Sequence, residues 1–104
     1  MSKKNYSSDN NILWSGKRLQ LNSLCVPPHS ETGNIRYSTC DQFLCVTQGT
    51  GLAITGTDIS CMDHHCRLRE NSSIFIPCET WLNLINTGET SLKFYIIQAL
   101  PQEP

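Results

Sequence analysis

Apolar residues in this chain come in short runs, each stopped by turn formers. Leu19 to Val26 is halted by Pro27-Pro28, Asn34 to Tyr37 follows, and Gln42 to Gln48 ends at Gly49-Thr50-Gly51. Leu52 to Thr55 leads into Gly56-Thr57-Asp58, Ser73 to Ile76 stops at Pro77, and Trp81 to Ile85 runs into Asn86-Thr87-Gly88-Glu89. Leu92 to Leu100 closes the series, and Pro101 removes a backbone donor that further pairing would need. Runs of this length between turns are the pattern of strands. No apolar period of 3.6 residues persists for three turns, so helices are expected to be minor. The pattern predicts an all-β domain, either a sandwich or a barrel. Two stretches fall outside it. Residues 1–11 are polar and are expected to be a flexible tail ahead of a single domain spanning 12–104. Ile59 to Asn71 is polar as well and is predicted to be a long loop or an exposed hairpin.

Composition narrows the class without naming a substrate. A chain of 104 residues is one domain, long enough to bury roughly two thirds of its unfolded surface. Hydrophobic content of 38% against 16% charged is that of a globular protein rather than a disordered one. The net charge is −1, with no basic stripe to follow phosphates, so nucleic acid is not expected as a partner. No apolar run approaches the ~20 residues that span a bilayer, so no membrane partner is expected either. The N-terminal Met1-Ser2-Lys3-Lys4 has charge but no apolar segment after it, which points to the cytoplasm. In that compartment the six cysteines, Cys25, Cys40, Cys45, Cys61, Cys66 and Cys78, are expected to be free thiols.

Few residues offer reactive chemistry. His64 and His65 lie between Cys61 and Cys66, but adjacent histidines point in different directions and the spacing is not that of a standard zinc site. A solvated loop is the expectation there, with a surface zinc or nickel site as the alternative. Cys78, just after Pro77, is a candidate reactive thiol, although a thiolate needs a base or a positive neighbour. A structural role is favoured for it. His29 reads as a surface residue in a turn, and Glu31 and Asp41 do not suggest a catalytic pair. Trp81 reads as a packing residue.

Several blocks agree in order with a known family. Leu13 to Leu21, Asp41-Gln42-Phe43-Leu44, Gly49-Thr50-Gly51, Pro77 to Gly88 and Leu92 to Tyr95 resemble the small single-domain bacterial cupins, over about Trp14 to Pro101. The resemblance implies a jelly-roll (double-stranded β-helix) barrel in which two motifs usually supply four metal ligands. The first motif is a glycine, five residues, His-x-His, four residues, a glutamate, six residues and a glycine. Laid on this chain without gaps, its glycines fall on His29 and Gly49, its histidines on Ile35 and Tyr37, and its glutamate on Gln42. The second motif is a glycine, five residues, Pro-x-Gly, two residues, a histidine, three residues and an asparagine. Pro77 and Asn86 match it, Asn71 and Glu79 stand at its glycines, and Leu82 stands at its histidine.

Ile35 and Leu82 have no lone pair to give, Gln42 gives one neutral amide oxygen, and the Tyr37 phenol would have to ionise. A usable metal site is therefore not expected, and no cofactor is assigned. The resemblance implies instead a pocket formed by Ile35, Tyr37, Gln42, Leu44 and Leu82, in a metal-free, non-catalytic cupin that binds a small, partly apolar molecule. The alternatives are a metalloenzyme of dioxygenase, isomerase or decarboxylase type with non-standard ligands, such as a cysteine or His29 with Tyr37 and Gln42, or a structural or assembly protein. Similar cupins commonly form homodimers through their N-terminal strands, which would bring Leu13, Trp14, Leu19 and Leu21 to an interface.

Overall fold

The computed structural model describes residues 9–37 and 40–100. Nine strands are formed there: β1 (Asp9–Ser15), β2 (Leu19–Val26), β3 (Ile35–Tyr37), β4 (Asp41–Gln48), β5 (Gly51–Gly56), β6 (His64–Leu68), β7 (Ser73–Ile76), β8 (Thr80–Asn86) and β9 (Leu92–Ala99). They make two antiparallel sheets. Five strands lie in the order β1-β2-β9-β4-β7 and four in the order β3-β8-β5-β6. The chain crosses between the sheets after β2, β3, β4, β6, β7 and β8, which is the jelly-roll arrangement. Every described element is a strand, and no helix is long and apolar enough to cross a membrane.

The turn-bounded runs correspond to β2, β3, β4, β5, β7, β8 and β9 within a residue or so at each end. Two strands differ from expectation. Residues 9–11, assigned above to the tail, belong to β1, where Asp9, Asn10 and Asn11 lie opposite Cys25, Leu24 and Ser23. An edge strand is held by main-chain bonds to one neighbour and does not need an apolar face, so its sequence carries little signal. Residues 1–8 lie outside those described. The polar Ile59 to Asn71 stretch contains β6, which folds back on β5 from Thr55↔His64 to Gly51↔Leu68. It is the hairpin reading that fits.

The period of two decides which side chains meet between the sheets. In β9 the alternation is complete: Leu92, Phe94, Ile96 and Gln98 are buried, and Lys93, Tyr95, Ile97 and Ala99 are exposed. Leu24, Val26, Leu44, Val46, Ala53, Leu68, Leu82 and Leu84 join the apolar members of that set in one cluster. The largest wholly buried side chain is Phe94.

One polar residue is built into the far end of this core. Asn86, 2% exposed, donates from Nδ2 to the carbonyls of Val26 and Thr90, both at 2.9 Å, and its Oδ1 accepts from Gly88 N at 2.9 Å. It ties β8 to the end of β2 and to the turn before β9. Asn86→Ala leaves these backbone groups without partners, at about 1–3 kcal/mol for each that stays dry. A loss of about 3 kcal/mol in urea unfolding is expected, with the slope unchanged.

Candidate binding site

The positions where the two motifs place glycine share one backbone conformation in this chain, although most are not glycine. His29, Asn71 and Glu79 have φ of 60°, 73° and 67°, and Gly49 has 96°. All four motif glycine positions therefore adopt left-handed backbone, although only one has kept glycine. Outside glycine this conformation costs roughly 1–2 kcal/mol, so the turns are held by their surroundings. At Gly49 the reason is contact: a Cβ would meet Ser91 O at 2.7 Å. These turns set the register of the strands beside them, and register decides which residues face inward.

The sequence-derived pocket residues divide into three groups. Leu44 and Leu82 are 1% and 3% exposed and share the core cluster. Ile35 is half-buried opposite Leu82. The Tyr37 backbone pairs with Thr80, while its side chain lies outside the described residues. The segment before β3 is held against β8 by Thr32 N to Leu84 O (3.0 Å), by Leu84 N to Thr32 Oγ1 (3.1 Å) and by Asn83 Nδ2 to Glu31 Oε1 (2.7 Å). Glu31 is thereby engaged away from Asp41.

Gln42 is the informative member. It is 2% exposed, and its Nε2 has no hydrogen-bond partner among the described residues. Gln98 lies directly opposite it on β9, and Gln20 lies opposite Gln98 on β2. Gln98 Oε1 already accepts from Gln20 Nε2 at 3.1 Å and from Asn22 Nδ2 at 3.0 Å. Both its lone pairs are used, so it cannot take the Gln42 N–H. The other cross-strand neighbour, Ile76, is hydrocarbon.

This row of carboxamides escaped the sequence reading, although a signal for it exists. At this end of the larger sheet the usual polarity is inverted. Gln20, Asn22, Gln42 and Gln98 face inward, while Leu21, Phe43 and Ile97 beside them in sequence face the other way. Amides on the inward parity of three adjacent strands mark a polar end to the barrel.

A cleft of about 220 Å3 opens at the seam where β6 and β7 edge the two sheets, lined by Thr55, His64, Cys66, Ile74, Phe75 and Ile76. Ile76 is the partner of Gln42 and Thr55 is the partner of Leu82. The cleft is thus one strand away from Gln42 and from Leu82, neither of which lines it. His64 and Cys66 share a face of β6, and His65 between them points the other way, as the strand period requires.

The metal implied by the resemblance does not fit these residues. Ile35 and Leu82 are hydrocarbons, and Gln42 is an uncharged amide. Among the described residues no group of three His, Cys, Asp or Glu is placed to hold an ion. His29 is engaged on the surface, with Nε2 3.3 Å from Glu89 Oε1. Cys78 is exposed, and its backbone N donates to Asp41 Oδ1 at 2.8 Å. Burial, followed by Asp41 and Cys78, pushes the neighbouring Cys40 thiol up, and Asp63 pushes Cys61 up. Carboxylate neighbours of this kind oppose thiolate formation.

The chain is similar to BH2720 of Bacillus halodurans, whose crystal structure gives a TM-score of 0.85 at 34% identity, over 91% of this chain and 72% of that one. It is 35% identical over 92 residues to the uncharacterised protein YrkC of Bacillus subtilis (strain 168), which takes in 88% of this chain and 50% of that protein. The chain thus spans about half the length of that curated relative. A cupin domain from Bordetella pertussis, bp2299, shares the fold with a TM-score of 0.70 at 20% identity, over 95% of this chain and 98% of that one. No family model matches the chain.

The unpartnered amide and its partnered neighbour should respond oppositely to the same substitution. Gln42→Met removes a buried donor that bonds nothing and is expected to raise stability by about 1 kcal/mol. Gln98→Met strips the acceptor from Gln20 and Asn22 and is expected to lower it by about 2 kcal/mol. Urea midpoints of the two variants check the pair of signs.

Proposed function

The chain belongs to the cupin family, and we propose that it is a member without metal chemistry, a non-catalytic barrel that binds a small, partly apolar molecule. The single observation that carries this reading is the Gln42 amide, buried between Gln98 and Ile76 and without a partner for Nε2 among the described residues, at a position where the family motif has a metal-ligating glutamate. An inward donor left without an acceptor costs about 1–3 kcal/mol, and a bound acceptor returns it. Ile35, half-buried opposite Leu82, is the member of the sequence-derived set with apolar area left to cover, worth about 25 cal/mol per Å2. Free thiols at all six cysteines accord with a reducing, cytoplasmic setting.

The same inversion supports pairing with a second copy. Leu21, Ile97, Phe43 and Phe75 lie opposite one another in one row across four strands, and Trp14 lies opposite Leu21. Trp14, Phe43, Phe75 and Tyr95 are 38% to 57% exposed, on side chains of roughly 150–250 Å2 each. Leu19 and Ile97, also exposed, alternate onto the same face, and together these side chains give a large share of the ~800 Å2 that one partner contributes to a standard interface.

Two experiments test these readings. Protein purified without added metal, then incubated with excess Mn2+, Fe2+, Ni2+ or Zn2+ and desalted, is expected to retain far less than one ion per chain; one tightly held ion per chain overturns the metal-free reading. Phe75→Lys together with Phe43→Lys is expected to convert a dimer to a monomer in sedimentation velocity. A wild-type chain that stays monomeric at high micromolar concentration removes the second copy.

A further inference from the structure

Resting on the binding just proposed, we infer that the occupant is an uncharged molecule bearing an oxygen acceptor, and that it reaches Gln42 through the seam between β6 and β7. Charge decides the class. Among the described residues the buried polar ones are Asn22, Thr32, Gln42, Asn86 and Gln98, and none of these is ionisable. A carboxylate or ammonium carried past the cleft to Gln42 would lose its water and find no counter-charge among the buried described residues, which is unfavourable. A carbonyl, amide or ester oxygen loses far less and receives the N–H that Gln42 has to give.

The seam decides the route and the size. Its cleft of about 220 Å3 lies below the roughly 300–1,000 Å3 of drug-sized sites, so the occupant is small. Ile74 and Ile76 offer it an apolar wall, and Ile76 is the cross-strand neighbour of Gln42. The other two described clefts, of about 330 and 540 Å3, contain none of the residues paired with Gln42 or Leu82. His64 at the rim is the one titratable side chain of the cleft besides Cys66.

The test uses benzamide and hexanamide against benzoate and hexanoate, titrated at pH 8 into labelled protein and followed by backbone and side-chain NMR shifts. The amides are expected to shift Gln42 and Ile76 and to bind at least tenfold more tightly than the carboxylates. Gln42→Met is expected to weaken the amides about tenfold, as the loss of one hydrogen bond to a buried donor implies. Carboxylates that bind as tightly as the amides, at Gln42, overturn the inferred class and leave the pocket in place. If neither set shifts the barrel interior, the pocket itself is wrong. For the route, Cys66→Phe and Ile74→Phe, each checked for folding by its spectrum, are expected to slow or abolish amide binding. Unchanged binding rates in both folded variants overturn the seam.

Discussion

Four residues with left-handed backbone set the frame on which the rest depends. His29, Gly49, Asn71 and Glu79 turn the chain in the same conformation whether or not they are glycine. A slip of one residue at any of these turns would send the facing side chains to the other side of the sheet. Because the turns hold, Gln42 faces Gln98, Leu82 faces Ile35, and both point between the sheets. The three non-glycine turns carry an unfavourable local conformation that the packed sheets maintain. These four positions are those at which the two motifs place glycine, while Ile35, Gln42 and Leu82 stand where the motifs place metal ligands.

The side chains around these positions explain the character of the barrel. One end is a close-packed hydrocarbon core around Phe94, Leu44, Leu84 and Leu92. The other end carries four carboxamides across three strands, three of them bonded to one another and the fourth with no acceptor for its Nε2 among the described residues. Polar residues on the inner face displace apolar ones to the outer face of the same strands. The inner amides and the outer Leu21, Ile97 and Phe43 are thus two sides of one sequence feature. The proposed pocket and the proposed contact with a second copy both follow from it.

The strands of the fold were legible because turn formers bound nearly every apolar run. β1 was not, since Asp9-Asn10-Asn11-Ile12-Leu13-Trp14-Ser15 has no alternation and its strand is held by the main chain of β2. β6 was hidden for a related reason: four of its five residues are polar or cysteine, and only Leu68 is deeply buried. At the site, gapless alignment of the motifs found Gln42, Ile35 and Leu82 at facing or buried positions. It could not find Gln20, Asn22 or Gln98, because no motif contains them. In β2 the apolar residues change parity partway along, from Leu19 and Leu21 to Leu24 and Val26, and a reading by apolar period alone follows the wrong face for half the strand.

The central claim concerns one side chain, and its own resonances report on it. The two Nε2 protons of Gln42 can be assigned by their loss in a Gln42 variant and compared with those of Asn86, whose Nδ2 bonds two carbonyls at 2.9 Å. A buried amide proton without an acceptor resonates upfield of a bonded one and exchanges slowly with solvent. The account expects this of Gln42 in the ligand-free protein. Downfield shifts matching those of Asn86 would mean that the donor is already satisfied, and would contradict it.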